Sequence, residues 1–231
     1  MDKQMDNRVA LIVGAGPGIS GAFGAALVAA GYQVALAARN MDKLRPLAEA
    51  MGATPFEADA ASASSLVELF DEVDRSLGQP DVVLYNPSVR IRGDLLSLDI
   101  GAAAAAIQTT AIGALVTAQE AARRMLPRGR GSIFFTGATA GVKGFARSSV
   151  FAMGKFAMRG LAQSLARELA PAGIHVVHFV IDGAVTRGNQ EAGAPGEFTP
   201  QAIARSYMAA LDQPPGAWSW EFELRSHTET F

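Results

Sequence analysis

The sequence predicts a single α/β domain built on a doubly wound parallel β-sheet of about seven strands, with helices on both faces. Short apolar segments alternate along the chain with longer segments that have helical spacing. Such alternation is typical of right-handed β-α-β units and hence of a parallel sheet. The chain has 231 residues, which suits one large α/β domain, and no internal repeat or linker divides it.

The strands are predicted from runs of apolar and β-branched residues. The first run, RVALIVG, is a short apolar segment that ends at glycine, as in strands that are buried on both faces. The last run alternates instead, with Trp218, Trp220, Phe222 and Leu224 on one face, and this predicts a half-buried strand. The predicted strands cover 8–14, 33–38, 53–59, 81–86, 131–138, 174–182 and 217–225.

The helices are predicted from apolar spacing and from residues that favour helix ends. Ser62 precedes the third helix and Gly78 ends it. Thr199 and Pro200 open the last helix, since proline is favoured at the first helical position. The predicted helices cover 19–31, 41–51, 62–78, 100–125, 149–170 and the segment after 200.

Composition excludes several classes of function. Apolar residues make up 49% and charged residues 18% of the chain, and the net charge of -2 gives no basic surface for nucleic acid. The absence of cysteine excludes a disulfide framework and a thiolate metal site. The N-terminal segment lacks the long apolar region and the small-residue cleavage site of an export signal. We therefore expect a cytoplasmic protein.

The stretch from Ile100 to Gln119 carries no charge and is long enough to span a bilayer. It consists largely of Ala, Thr, Gln and Gly, with few large apolar side chains. We therefore expect no membrane association, and we predict a helix buried inside the protein or at a subunit interface.

A glycine-rich loop, VGAGPGISG, follows the first strand directly. In one register Gly16, Gly18 and Gly21 match G-x-G-x-x-G, but this match begins two residues after the strand. In the other register Gly14 and Gly18, with Ser20, match a longer spacing whose first glycine adjoins the strand, and we favour it. In either register the loop lets backbone N–H groups approach a phosphate at a helix N-terminus.

The residues that end the second and third strands bear on which nucleotide is bound. A carboxylate at the end of the second strand would accept hydrogen bonds from ribose hydroxyls, but Ala38 and Arg39 stand there. An arginine suits a 2′-phosphate, so we favour NADP, while NAD stays open. Asp59 either accepts a hydrogen bond from the adenine amino group or caps the following helix.

Five segments of the chain match a known pattern of spaced residues. They are Gly14-x-x-x-Gly18-Ile19-Ser20, Asp59, YNPS at 85–88, GSIFFTGATAG at 131–141, and Phe151-x-x-x-Lys155. With these segments the chain resembles the short-chain dehydrogenase/reductase family over about the first 185 residues. The resemblance implies a seven-stranded Rossmann-type sheet, an NAD(P)-binding domain over 1–231, hydride transfer between NAD(P)(H) and an alcohol or carbonyl, and a homodimer or homotetramer.

The resemblance also implies which residues hold the nucleotide, since family positions carry over one by one. Asn86 keeps one asparagine of the family's N-N-A-G turn, and Asp182 replaces the proline that usually precedes Gly183. The implied nucleotide-binding residues are Gly14, Gly16, Gly18, Ile19, Ser20, Arg39, Asp59, Asn86, Lys155, Gly183 and Val185.

The catalytic positions depart from the family pattern. The family's tyrosine falls on Phe151, its serine on Ala138 and its helix-four asparagine on Thr110, whereas its lysine is kept as Lys155. In the family the tyrosine passes a proton to the substrate oxygen, and the lysine lowers the tyrosine pKa and holds the nicotinamide ribose. Loss of general acid–base catalysis typically costs about 10²–10⁴ in rate.

Two functions are therefore consistent with the sequence. The first is an NADP-dependent oxidoreductase that acts on an unidentified small molecule with impaired or atypical proton transfer. The second is a nucleotide-binding sensor or partner subunit without hydride transfer. The paired absence of the tyrosine and the serine supports the second, and the glycine loop with Lys155 supports both.

Several other residues are candidates for the pocket. Thr139, one residue past the serine position, offers a hydroxyl, and Tyr85 is expected near the nucleotide. Arg90 and Arg92 either attract an anionic ligand or are solvated loop charges. The Gly/Pro-rich segment 183–200 is predicted to be a substrate lid, and 214–231 a C-terminal strand and tail.

Overall fold

The computed structural model describes residues 8–186 and 196–228. Seven strands form one sheet, and every neighbouring pair is parallel. The strands are β1 (Val9–Val13), β2 (Gln33–Ala38), β3 (Thr54–Glu57), β4 (Val82–Tyr85), β5 (Gly131–Thr136), β6 (Ile174–Asp182) and β7 (Glu221–Arg225). Their order across the sheet is β3-β2-β1-β4-β5-β6-β7, so the predicted doubly wound α/β fold is confirmed.

Helices cover both faces of the sheet. They are α1 (Ile19–Ala29), α2 (Met41–Met51), α3 (Ala63–Ser76), α4 (Ile100–Ile107), α5 (Gly113–Met125), α6 (Ser149–Leu169) and α7 (Pro200–Leu211). Helices α1, α2 and α7 pack on one face, and α3, α5 and α6 pack on the other. In β1, Leu11 and Val13 lie in one apolar cluster and Ala10 and Ile12 in the other, because side chains alternate along a strand.

The carboxyl ends of the central strands lie at one edge of the sheet. Val13 of β1 is in register with Tyr85 of β4, and Thr136 of β5 is in register with Phe179 of β6. The segments that follow β1, β2, β4, β5 and β6 therefore converge at this edge, where open parallel sheets bind their ligands.

The uncharged helix predicted from Ile100 is not a regular α-helix throughout. Residues Gln108–Ile112 form a π-helical turn between α4 and α5. A π-turn inserts one residue into the helix, and such insertions are frequent at functional sites. By length and composition alone, the combined helical run Ile100–Arg128 could cross a membrane. Inside the fold, 28% of its most apolar 18-residue stretch is buried. It packs on α3 and α6.

The final strand is shorter than the alternating pattern predicts. Phe222 and Leu224 pack on the core as expected, but Trp218 and Trp220 precede the strand. The chain is turned there because the Ser219 N–H donates to the Gln213 side-chain oxygen at 2.8 Å. Of the predicted lid and tail, 187–195 and 229–231 lie outside the described residues.

Candidate active site

The first glycine of the loop fills a position that no other residue fits. Gly14 has a φ of 79°, in the left-handed region, and a Cβ there would lie 2.6 Å from Cγ of Pro87. The side-chain amide of Asn86 donates to the Gly14 carbonyl at 3.0 Å. The loop after β1 and the loop after β4 are therefore in direct contact, and Gly14 and Asn86 form that contact.

The remainder of the loop is shaped by Ser20. Its hydroxyl accepts a hydrogen bond from the Gly16 N–H at 3.0 Å and lies 3.3 Å from the Gly16 carbonyl, to which it donates. Gly18 immediately precedes α1, and Ile19 begins it. A Cβ at Gly21 would lie 2.6 Å from the Gly16 carbonyl oxygen, so this glycine of the less favoured register is also required.

A cavity of about 300 Å³, here named the glycine-loop cavity, opens beside this turn. Gly14, Arg39 and Asp59 lie together in its lining, as the sequence predicts, and Pro87 and Ser88 also line it. Its lining also includes Val13, Ala15, Ala38, Asn40, Ala58, Ala60, Val89 and Thr109. The cavity thus joins the ends of β1, β2, β3 and β4.

Arg39 and Asp59 differ in how firmly they are held. Arg39 is exposed and makes no ion pair with any residue in the described ranges. The Asp59 carboxylate accepts a hydrogen bond from the Ala61 N–H at 3.0 Å. The alternative that Asp59 caps α3 is wrong, because Ser62 precedes that helix and accepts from the Ser65 N–H at 3.2 Å.

Tyr85 does not itself line the glycine-loop cavity, but it contacts Thr109, which does. Its side chain is fully buried and its hydroxyl donates to the Thr109 carbonyl in the π-helical turn. Burial raises the pKa of this hydroxyl. The register of β4 directs Tyr85 into the core, where it fixes the turn instead.

Thr110, at the asparagine position, lies in the same π-helical turn. It is buried, and its hydroxyl oxygen accepts from the Val89 N–H at 3.3 Å. A Cβ at Gly154 of α6 would lie 3.0 Å from the Cβ of Thr110, so the two segments pack closely. Thr110 therefore anchors the loop after β4, and it lines neither the glycine-loop cavity nor the one described next.

A second cavity, here named the Phe151 cavity, has a volume of about 410 Å³. Phe151 and Ala138 both lie in its wall, so the structure brings the tyrosine and serine positions together with no hydroxyl at either. Its described lining is Arg90, Ala138, Thr139, Ala140, Lys143, Phe145, Phe151, Ile181, Asp182, Gly183 and Ala184.

Lys155 lies one helical turn beyond Phe151 and is 2% exposed. Its Nζ donates to the Thr136 carbonyl at 2.6 Å and lies 5.9 Å from the Phe151 ring centroid. Burial lowers the pKa of this amine to about 7, because the charged form is desolvated. Lys155 is absent from the described linings of both cavities, and its ammonium form has three N–H groups, one of which is used in the bond to Thr136.

The hydroxyl of Thr139 is bound to a carboxylate in the Phe151 cavity. Thr139 donates to Asp182 Oδ1 at 2.5 Å, and Arg225 contacts Asp182 Oδ2 at 2.9 Å. Asp182 is only 4% exposed. In the sequence, Asp182 stands out only as a departure from the family's proline. An acid at the end of a predicted inner strand was the signal that could have indicated this pair.

The last two predicted nucleotide residues follow β6. Gly183 lines the Phe151 cavity, and a Cβ there would lie 2.8 Å from the Phe198 ring. Val185 forms a bridge with Phe198 and packs against the core. In the described part of the chain, Val185 lines neither cavity.

Comparisons with known proteins agree with this arrangement. A family model described as short chain dehydrogenase matches residues 8–195. An uncharacterized oxidoreductase of Staphylococcus aureus is 26% identical over 216 residues, which cover 91% of this chain and 93% of that protein.

Two solved structures show the same fold. A short-chain dehydrogenase from Rhodopseudomonas palustris has a TM-score of 0.83 and 31% identity, and the match covers 96% of this chain and 99% of that one. An alcohol dehydrogenase from Thermococcus sibiricus, solved in complex with 5-hydroxy-NADP, has a TM-score of 0.85 and 23% identity, covering 97% and 99% of the two chains. With its seven-stranded parallel sheet, its glycine loop and a family match over most of its length, this chain belongs to the short chain dehydrogenase family.

Proposed function

We propose that this chain is an NADP(H)-dependent oxidoreductase that transfers a hydride to or from an alcohol or carbonyl with atypical proton transfer. The observation that carries the proposal is the glycine-loop cavity, whose lining brings Gly14, Arg39 and Asp59 together at the carboxyl ends of the strands. When bound, the nicotinamide supplies or accepts the hydride.

The residues around the glycine-loop cavity fit a nucleotide with a 2′-phosphate. The N-terminus of α1 after Gly18 offers backbone N–H groups to a pyrophosphate. Arg39, which has no ion pair among the described residues, offers its guanidinium to the 2′-phosphate. No carboxylate at the end of β2 repels that phosphate. The Thermococcus sibiricus neighbour is complexed with an NADP derivative, which supports the same assignment. Lys155 keeps two N–H groups for the ribose hydroxyls.

Thr139 and Asp182 are the groups that we assign to proton transfer. In alcohol oxidation the alcohol proton moves to Thr139 Oγ1 as the proton of Thr139 moves to Asp182 Oδ1. Carbonyl reduction uses the same relay in reverse, with the proton on Asp182 Oδ1 moving to Thr139 Oγ1 as the proton of Thr139 moves to the substrate oxygen.

A nucleotide-binding protein without turnover is the second candidate. It is supported by Phe151 and Ala138, which line the Phe151 cavity at the tyrosine and serine positions and have no hydroxyl group to donate a proton. The two candidates differ in one measurement, namely whether wild-type protein oxidises any alcohol or reduces any carbonyl in a broad panel.

The nucleotide preference is tested by titrating NADPH and NADH into wild type and Arg39→Ala. We expect wild type to bind NADPH about tenfold or more tightly than NADH, since a charge-assisted hydrogen bond contributes about 1.5–3 kcal/mol. Arg39→Ala is expected to lose this preference and to bind NADH unchanged. Arg45→Ala, at an exposed position of α2, is the matched control. Equal affinities in wild type would contradict the assignment of Arg39, and failure to bind either nucleotide would overturn the proposed function.

The exposed apolar face of α4 and α6 supports a homodimer or homotetramer. Ile100 of α4 is 78% exposed, and Met153 and Phe156 of α6 are 60% and 45% exposed. The two helices contact each other, and α4 itself carries no charged residue. Patches of this kind mark association surfaces, and we propose a second copy of the chain as the occupant.

The oligomer is tested with the double variant Met153→Glu/Phe156→Glu. Two carboxylates buried without partners at an apolar interface cost several kcal/mol, so we expect the variant to be monomeric. Sedimentation velocity at micromolar concentration measures this, and Val67→Glu on α3 is the control for adding a charge at an exposed apolar site. A monomeric wild type would refute the interface.

A further inference from the structure

A third cavity adjoins the Phe151 cavity and is here named the arginine cavity. It has a volume of about 430 Å³ and is lined by Arg90, Arg92, Phe145, Ala146, Arg147 and Ser148. The two cavities share Arg90 and Phe145. The guanidinium carbon of Arg90 lies 5.3 Å from the centroid of the Phe151 ring. A ligand in the Phe151 cavity can therefore extend past Arg90 into the arginine cavity.

Positive charge in the arginine cavity is not balanced by the described residues. Three guanidinium groups line it, and no acid does. Arg147 has one ion pair, with Asp94 at 3.3 Å, and both side chains are more than two-thirds exposed, which makes the pair weak. Arg90 and Arg92 make no ion pair with any residue of 8–186 or 196–228.

The nearest acid in the adjoining cavity is already engaged. Asp182 is held by Arg225 and by Thr139, so it is not available to Arg90. Lys143, also in the Phe151 cavity, lies over the Phe145 ring at 5.7 Å and adds a fourth cation. A concave site with an excess of one sign of charge concentrates ligands of the opposite sign.

The loops that carry these cations are anchored. The Gly93 N–H donates to the Arg147 carbonyl at 3.1 Å, which joins the loop after β4 to the loop before α6. The Val89 N–H is bound by Thr110, one residue before Arg90. Arg147 itself has a φ of 61°, an uncommon conformation that such a bond helps to hold. Hydrogen bonds at or beside Arg90 and Arg147 therefore tie both loops to their neighbours.

We propose that the arginine cavity binds a carboxylate or phosphate group of the substrate, whose reacting carbon lies in the adjoining Phe151 cavity. The walls between the charges are apolar, with Phe145, Phe151 and Ala140, so the part of the substrate between its anionic group and its reacting carbon is aliphatic or acyl. The proposal rests on the proposed oxidoreductase function and narrows its substrate class to anionic alcohols and carbonyl compounds.

The test measures binding of levulinate, methyl levulinate, acetate and inorganic phosphate by calorimetry, with and without saturating NADPH. Wild type is expected to bind levulinate at least about tenfold more tightly than its methyl ester, because the ester lacks the charge that Arg92 and Arg147 recognise. Competition of acetate and phosphate against levulinate shows which anionic group the cavity prefers.

Arg92→Ala and Arg147→Ala are each expected to weaken levulinate binding about tenfold and to leave NADPH affinity unchanged. Arg167→Ala is the matched control, since Arg167 is an exposed arginine of α6 about 27 Å along the helix from its start. It removes the same net charge and is expected to bind levulinate like wild type. Thermal unfolding midpoints verify that each variant is folded.

Three results would overturn the inference. They are equal binding of levulinate and its ester, equal losses in all three arginine variants, and no binding of any anion at millimolar concentration. If NADPH binds normally in these cases, the proposed function stands while the substrate class is wrong. If NADPH does not bind, the proposed function fails and the substrate assignment fails with it, while anion binding to the free protein still tests the arginine cavity as an anion site.

Discussion

The double variant Phe151→Tyr/Ala138→Ser is expected to reduce carbonyl compounds with NADPH about 10²-fold faster than wild type, or more. Both side chains lie in the wall of the Phe151 cavity, so the substitutions place a phenol and an alcohol where the described lining offers only the hydroxyl of Thr139. Phenylalanine has no proton to give, and alanine cannot stabilise the developing oxyanion.

The surroundings of Phe151 favour a reactive phenol after the substitution. Lys155 Nζ lies 5.9 Å and the Arg90 guanidinium 5.3 Å from the ring centroid, and both cations stabilise a phenolate. The tyrosine hydroxyl introduced by Phe151→Tyr is thus expected to have a lowered pKa. Because the two hydroxyls act as a unit, each single variant is expected to gain much less than the double variant.

Initial rates over a carbonyl panel measure this gain, and Phe156→Tyr is the matched control. Phe156 lies on the same helix but is 45% exposed and lines neither cavity, so its substitution is expected to leave the rate unchanged. A further variant, Thr139→Val, is expected to abolish whatever alcohol oxidation wild type shows. Alcohol oxidation that persists in Thr139→Val would refute the role of Thr139. If only the double variant reduces the carbonyl compounds of the panel, the candidate without turnover is favoured.

Lys155→Met is expected to make the folded protein more stable at neutral and acidic pH and to weaken NADPH binding. Burial lowers the pKa of Lys155 to about 7, below the value of about 10.4 for an unfolded lysine. Below pH 7 the amine is charged in both states, so the folded protein carries the full cost of the buried ammonium. Between about pH 7 and 10.4 the unfolded state binds more protons, and stability rises with pH.

The size of the effect follows from the same shift. Each pKa unit corresponds to 1.36 kcal/mol, so the shift from about 10.4 to about 7 corresponds to about 5 kcal/mol at acidic pH. Loss of the hydrogen bond to the Thr136 carbonyl offsets about 1 kcal/mol of this gain. Urea unfolding should thus show a variant about 4 kcal/mol more stable than wild type near pH 6, with the difference shrinking towards pH 10.

Lys43→Met on the exposed face of α2 is the control for loss of a lysine charge, and it is expected to change stability little at any pH. A difference between Lys155→Met and wild type that does not vary with pH would contradict the assigned cause. A lysine kept in a place where it destabilises the fold is expected to serve binding, so loss of NADPH affinity in the same variant is the companion result.

The strands and helices could be predicted from the sequence because each is determined mainly by residues within or next to it. Continuous apolar runs give the buried strands, and glycine or capping residues mark most helix ends. The final strand was predicted too long because alternation cannot show that Gln213 binds the Ser219 backbone and turns the chain before Glu221. The π-helical turn was missed because it depends on Tyr85 and Gly154, which lie far from it in sequence.

The sequence by itself determined that the chain folds as a nucleotide-binding α/β sheet, that Gly14 adjoins the first strand, and that Phe151 and Ala138 replace two hydroxyls. These features depend on residue type and on spacing within one element. Only the tertiary structure decided that Thr139, Asp182 and Arg225 meet, and that Arg90 lies over the Phe151 ring. The physical reason is that these side chains are tens of residues apart in sequence. They meet because β5, β6 and β7 pair in parallel and the loop after β4 packs against α6, and no local sequence pattern shows such contacts.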